Sequence, residues 1–344
     1  MTHVVIVGGG PAGLSAAACL AERDVAFTIL ERGEGPFAGL RALDPEMQLL
    51  TPPRFSRLPG MTTQGADYER FGEVVKQFEA WRAERRLDVR THARVDKIER
   101  SGDGFVVCVG RERIAATHVV NATGIIGHPV FPPDFDGTRY AGAWQHSLTV
   151  RSEDLARADK LVVVGAGMSA AEVIERWLDV RAPRSRAWLS TRKSIVAAPQ
   201  KIFGIDLHYW LALPELAPGR LFGRRIGPSR DLIIGRRVLR SLRDGAVTRV
   251  PAVTSYDMTF ADGTHLEPDL LVLATGYRYA TEHLAGLVEV DNHGHPIVDR
   301  HSASTRAPNL YLLGLRFGRT VKSSALRGIV SDAEHVAARI ARTS

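Results

Sequence analysis

A chain of 344 residues, 44% hydrophobic and 24% charged, has the composition of a soluble globular protein and the length for two domains with separate cores. No apolar run approaches the ~20 residues of a membrane helix, and the first residues read as a strand and its turn with no basic leader, which points to the cytoplasm. The net charge of +7 comes without a nucleic-acid motif or interleaved aromatics, and Cys19 and Cys108, the only cysteines, form no CxxC pair; nucleic-acid binding, a disulfide framework and a dithiol centre are set aside.

The opening is a βαβ unit. Strand Val4–Val7 runs into Gly8-Gly9-Gly10-Pro11-Ala12-Gly13, a small-residue helix continues over Leu14–Leu20, and a second strand, Ala26–Leu30, ends at Glu31. Gly8 suits the tight turn, Gly10 lets a pyrophosphate approach the backbone, and Gly13 brings the helix close to the strand. The helix N-terminus offers its unpaired N–H groups and positive dipole end to the phosphates. Glu31 stands where an acid accepts hydrogen bonds from an adenosine ribose.

An irregular, proline-rich stretch, Gly33–Gly60, follows. A helix is expected over Asp67–Arg85, with Phe71, Val74, Val75, Phe78 and Trp81 on one buried face. Strands are expected at Asp88–Thr91, Ala93–Arg100, Gly104–Val109 and Arg113–Ala116, with a hairpin at Gly102-Asp103-Gly104. Strand His118–Ala122 ends in Thr123-Gly124.

Leu161–Val164 starts a second βαβ unit through Gly165-Ala166-Gly167-Met168-Ser169-Ala170, with a helix at Ser169–Leu178 and a strand at Ala187–Ser190. After that strand come Arg192 and Lys193 in place of an acid. Cations suit a ribose 2′-phosphate that an acid would repel, which favours NADPH over NADH; a solvated loop is the plainer alternative for the pair. Two such turns in one chain indicate two dinucleotides bound together, hence electron transfer between them.

Residues 199–228 carry an apolar cluster from Ile202 to Leu216, read as lid or core, with a partner or membrane-surface patch as the other reading. A hairpin is expected in Val253–Leu266 around Asp262-Gly263, and strand Leu270–Ala274 ends in Thr275-Gly276-Tyr277. Each half therefore opens on a glycine turn, passes a hairpin and closes on Ala-Thr-Gly. Asn309–Gly314 reads as one more buried strand and Ser323–Ile340 as a helix, both returning to the first unit. The expected fold is α/β, with two Rossmann-like dinucleotide-binding domains, the second inserted in the first: residues 1–150, then 151–277, then a return over 278–344.

With these residues in hand, the chain resembles the flavin-containing monooxygenase superfamily, nearest to its short YUCCA-like bacterial members. Tyr140-Ala141-Gly142-Ala143-Trp144-Gln145-His146 is similar to the family's F-x-G-x-x-x-H signature, and Met47–Gly60 to its segment along the flavin. Leu273–Tyr277 resembles its second Ala-Thr-Gly link, and Asn309–Leu315 with Ser323–Gly328 its closing FAD segment. The resemblance implies FAD in the first domain, NADPH in the second, hydride transfer to the flavin, and a C4a-peroxyflavin that gives one oxygen atom to a small sulfur or nitrogen nucleophile. It implies cofactor contacts through Gly8, Gly10, Pro11, Ala12, Gly13, Glu31, Arg32, Gly314, Ala325 and Leu326, through Gly165, Gly167, Met168, Ser169, Ala170, Arg192 and Lys193, and through Thr123, Gly124 and Gly276 of the links. Leu50, Thr51, His146 and Ser324 are the catalytic candidates near the flavin.

Three positions depart from the family. Leu50 stands where a polar residue beside the flavin is common, and leucine cannot hydrogen-bond an oxygen adduct. Phe37-Ala38-Gly39-Leu40 replaces a Gly-Gly-x-Trp. Val150, four residues after His146, replaces the tryptophan of Baeyer–Villiger enzymes. An NADPH-dependent flavoprotein reductase or oxidase without oxygen insertion is therefore the alternative reading, and a non-catalytic flavoprotein a third. The arginines of Arg220–Arg243 suit a solvated basic face, or the docking of an anionic substrate or acidic carrier protein.

Overall fold

The computed structural model of the chain describes residues 2–62, 68–138, 140, 142–192, 194–219, 233–235 and 237–343. Two parallel sheets organise it. In the first, β1 (His3–Val7) lies between β2 (Ala26–Leu30) and β6 (His118–Asn121), and Leu310–Leu312 pairs on the far side of β6. Helix α1 (Pro11–Ala21) is buried along Ala12–Leu20. The reason is cover on two sides: the C-terminal helix Leu326–Ala341 shares its core through Ile329, Val336 and Ile340. A helix wrapped in this way keeps no polar stripe, and its run of alanines lets both neighbours approach closely.

Between β2 and β6 lie the short α2 (Ala38–Arg41), the amphipathic α3 (Phe71–Glu84) and the antiparallel ribbon β3 (Lys97–Ser101), β4 (Gly104–Val109) and β5 (Glu112–Ala116). Helix α3 begins at Phe71, later than expected; Asp67 lies outside the described residues. The expected strand at Asp88–Thr91 reduces to a single bridge, Leu30–Arg90, and Ala93–Arg100 extends only from Lys97.

The second sheet runs Val247–Val250, β9 (Arg186–Ser190), β8 (Lys160–Val164), Leu270–Leu273 and β7 (Ala143–His146), all parallel. Two of these strands were not expected. β7 belongs to this sheet although it precedes residue 151, and Val247–Val250 forms its far edge. Helices α4 (Ser152–Arg157) and α5 (Met168–Val180) follow β7 and β8, and Trp177 of α5 is wholly buried. The hairpin expected around Asp262-Gly263 is present: Thr259 bridges His265, and the Phe260 and Leu266 N–H groups donate to the Thr264 and Met258 carbonyls at 2.9 and 3.1 Å. A second reversal at Tyr256-Asp257-Met258, not expected, pairs Val253–Ser255 with Thr259–Phe260, and Met258 takes the left-handed conformation (φ 66°). No helix among the described residues is long and apolar enough to cross a membrane.

Candidate functional site

The C-terminal ends of β1, β2 and β6 converge on the first glycine turn. Gly8 is left-handed (φ 110°), and its N–H donates to the Leu30 carbonyl at 2.8 Å. A methyl group on Gly8 would sit 2.5 Å from the Ala122 carbonyl oxygen, so Ala122-Thr123-Gly124 presses on the turn. One on Gly13 would sit 1.9 Å from the Gly8 oxygen.

Gly10 is different. Its φ of −83° and ψ of −173° suit any residue, and a methyl group there would meet nothing within 4 Å. Neither the backbone nor protein packing requires glycine at this position. What the residue preserves is open space at the N-terminus of α1, which no side chain caps.

Glu31 is buried. Its Oε2 accepts from the Gly9 N–H at 2.7 Å and its Oε1 from the Gly33 N–H at 2.8 Å. Each oxygen keeps a further lone pair for a hydroxyl group. Arg32 donates to the Gly127 carbonyl at 3.3 Å. Gly314 approaches Ala12 of the turn, 3.7 Å from its Cβ to an added methyl group. Ala325 is the residue before the C-terminal helix, Leu326 its first, packed on the same core, and Ser324 is exposed.

The second turn repeats the first. Gly165 has a φ of 150°, donates to the Ser190 carbonyl at 3.0 Å, and a methyl group on it would lie 2.3 Å from the Ala274 carbonyl oxygen. Both Ala-Thr-Gly links thus hold their own glycine turn from the same side. Gly167 precedes α5, whose first turn is Met168, Ser169 and Ala170. Beyond β9, an open cleft of about 510 Å³ is lined by Thr191, Arg192, Arg249, Val250, Pro251 and Ala252. Arg249, whose Nε donates to the Thr191 hydroxyl at 2.9 Å, was missed from sequence. The signal was the β-branched stretch Val247-Thr248-Arg249-Val250 between the Asp244-Gly245 turn and Pro251, a composition that suits a short strand. Lys193 lies outside the described residues.

At the end of β7, His146 is 4% exposed. Its Nδ1 accepts from the Leu148 N–H at 3.1 Å, which assigns the proton to Nε2, a buried atom with no partner among the described residues. Burial pushes its pKa down to about 4, so the ring is neutral. Phe131 and Tyr277 stand edge-on to it at 5.5 and 5.1 Å. The Tyr277 hydroxyl reaches Ser147 at 3.4 Å, and Gly276 ends the second link in a left-handed conformation. Glu172 of α5, within electrostatic reach of Tyr277, is pushed up to about 7 by burial, with Arg176 pulling it down.

Among the described residues, two sets of contacts join the halves besides the bonds of Pro129 and Val130 to Thr275, Gly276 and Tyr277. Asp44, after α2, accepts from the Ser152 N–H at 2.6 Å, the Ser152 hydroxyl at 2.7 Å and the Arg176 guanidinium at 2.6 Å. The other set involves residues 199–219, which leave the second unit and cross onto the first. Gln200 donates to the Leu50 carbonyl at 2.9 Å and to Asp206 at 2.6 Å; Tyr68 donates to the same Asp206 oxygen at 2.6 Å. Tyr209 stands edge-on to Phe55 at 4.9 Å, Glu215 pairs with Arg327, and Pro218 bridges Thr320. The lid reading of this segment agrees with these contacts. Thr51 is bonded to the Ser56 hydroxyl, beneath the segment.

Comparison with known proteins gives the same picture. The family model of pyridine nucleotide-disulphide oxidoreductases matches residues 5–179. Indole-3-pyruvate monooxygenase YUCCA1 of Oryza sativa subsp. japonica is 30% identical over 313 residues, covering 80% of this chain and 76% of its own. A flavin-containing monooxygenase from Stenotrophomonas maltophilia superposes with a TM-score of 0.78 at 23% identity, over 100% of this chain and 99% of that one. The ornithine N-hydroxylase of Kutzneria sp. 744, solved with reduced FAD, NADP+ and L-ornithine, does so with 0.77 at 19%, over 100% of both chains.

Proposed function

Because the chain belongs to the flavin-containing monooxygenase superfamily, among the pyridine nucleotide-disulphide oxidoreductases, we propose that this flavin-dependent oxidoreductase, whose cofactors are FAD and NADPH, places one atom of O2 on a small sulfur or nitrogen nucleophile. The observation that carries the reading is Gly10: a glycine kept where only a bound group would need the room. Bound flavin supplies the redox and oxygen chemistry; the protein supplies placement, electrostatics and exclusion of water.

In this reading the FAD unit comprises residues 1–150 and 278–344, and the NADPH unit 151–277, with β7 lent to the second sheet from before the boundary. The N–H groups opening α1 take the FAD pyrophosphate, Glu31 and Arg32 the adenosine end, and Thr123, Gly124, Gly314, Ala325 and Leu326 border the flavin. Gly165 to Ala170 take the NADPH pyrophosphate. Arg192 and Arg249, joined by Lys193, hold the 2′-phosphate with charge-assisted hydrogen bonds. Neutral His146 keeps its Nε2 proton available to an acceptor where Gly276 and Tyr277 meet the coenzyme. Residues 199–219 close over the Leu50–Thr51 strip and keep water from it.

The test is NADPH oxidation under ¹⁸O2 with a panel of sulfides, amines and ketones. One labelled oxygen atom in product per NADPH is expected. Hydrogen peroxide equal to the NADPH consumed, with every substrate, would overturn the proposal in favour of the reductase or oxidase reading. Leu50 is the observation behind that second reading: its carbonyl is tied to Gln200, and its side chain has no hydrogen-bonding atom.

A further inference from the structure

Residues 199–219 are built inside out. Their polar side chains face the protein: Asp206, His208 and Glu215 are buried, Asp206 held by Gln200 and Tyr68, and Glu215 by Arg327. Most of their large apolar side chains face water, although Leu207 is buried and Ile202 and Leu211 are half-buried. Of the twelve exposed large hydrophobic residues in the described chain, six lie between Phe203 and Leu216. Such crowding marks a contact surface, whereas exposed apolar residues scattered singly are ordinary.

The shape and charge of the patch select its occupant. Phe203 is 94% exposed at the tip of the hairpin formed by Lys201–Ile202 and Ile205–Asp206. It holds a left-handed conformation (φ 51°) that bulky residues seldom adopt. Trp210, on the short helix that follows, and Leu213, 79% exposed, continue the patch. A projecting tip suits insertion better than it suits a cleft for another chain. The acids at 206 and 215 are consumed inside, which leaves Lys201 as the exposed charge of residues 199–219. In sequence, residues 199–243 carry nine lysines and arginines against three acids. A stretch of chain that joins exposed aromatic and aliphatic side chains to an excess of cations suits interfacial binding to anionic lipid.

We propose that the outer face of residues 203–216 inserts peripherally into an anionic lipid surface. Tyr209 lies on this face and packs on Phe55, so the mouth over the Leu50–Thr51 strip would open towards the lipid, which favours apolar substrates that partition there.

Binding is read without turnover, so its outcome stands apart from the oxygen-transfer reading. The full-length flavoprotein is sedimented with phosphatidylglycerol–phosphatidylcholine vesicles and with phosphatidylcholine alone. Expected are binding to the anionic vesicles that weakens with salt, and a partition coefficient lowered about tenfold or more in the double variant Phe203→Ser, Leu213→Ser. Brominated lipid should quench tryptophan emission in the wild-type protein but much less in Trp210→Phe, a readout that does not depend on the double variant folding. Absence of vesicle binding at every composition would overturn the proposal, as would binding untouched by both variants. A dimer in solution that the double variant dissociates, without vesicle binding, would assign the face to a second copy and overturn it equally.

Discussion

Arg249 is the residue whose replacement separates a phosphate site from a surface cleft. Arg249→Gln is expected to raise KM for NADPH about 10-fold or more, the worth of a charge-assisted hydrogen bond, while leaving KM for NADH unchanged. Equal losses with both coenzymes would place Arg249 outside the 2′-phosphate site. Gly10→Ala poses the complementary question for FAD. The added methyl group meets no protein atom within 4 Å, so the apoprotein should melt within about 1 kcal/mol of the parent, yet retain far less flavin after gel filtration. Glu172, pushed up to about 7, predicts that the rate of anaerobic flavin reduction by NADPH changes with an apparent pKa near 7, and that Glu172→Gln flattens the profile. At this scale the sequence was most legible where a residue's role is local. Gly8, Gly13 and Glu31 announce themselves by spacing. Arg249 did not, since it meets Arg192 only after two strands distant in sequence pair side by side.

At the scale of elements, the Asp44 contact sets how the halves stand against each other. Burial alone would raise the Asp44 carboxyl, but hydrogen bonds from Glu46 and Ser152 and the Arg176 guanidinium hold it below its ordinary value. A carboxylate so depressed adds stability that is present above its unfolded pKa and is lost as pH falls through the lower folded value. Asp44→Asn should therefore be less stable at neutral pH and show a flatter loss of stability in acid, measured by thermal melts between pH 7 and pH 3. Asp44→Ala, which leaves buried Arg176 without its carboxylate, is expected to cost about 3–5 kcal/mol. Elements with a strong repeat or a glycine turn beside them were legible: α1, α3, α5 and the parallel strands other than β7 and Val247–Val250. The segment over the Leu50–Thr51 strip was not, because its pieces are two to five residues long and most of its large apolar side chains face outward while its acids are buried. The hairpin at Asp262-Gly263 was legible from its turn pair. The reversal just before it was not, because Met258 adopts a conformation that sequence rules assign to glycine or asparagine.

For the whole molecule, the repeat of glycine turn, hairpin and Ala-Thr-Gly gave the architecture before any coordinates, and with it the insertion of one unit into the other. The edges of that insertion were harder to read. β7 sits in the second sheet although it precedes α4, and periodicity cannot tell which of two parallel sheets a four-residue strand will join. Removal of the C-terminal helix by truncation before Ser323 is expected to abolish flavin binding, because α1 then loses the cover of Ile329, Val336 and Ile340. The second sheet contains no residue beyond 273 and should keep its secondary structure in that truncation, as circular dichroism would show.

The placement of Leu310–Leu312 against β6 also fixes an order of events on the ribosome. Translation delivers β1, α1 and β6 early, but their fourth strand and covering helix emerge only after the whole inserted sheet. The unit made first is thus the last completed, and the apolar flanks of β6 and α1 wait exposed while the inserted unit, whose strands all lie within one stretch of chain, can close on its own. A nascent chain should need holding in solution until Leu326–Ala341 has emerged, and should acquire the ability to keep its flavin abruptly at that point.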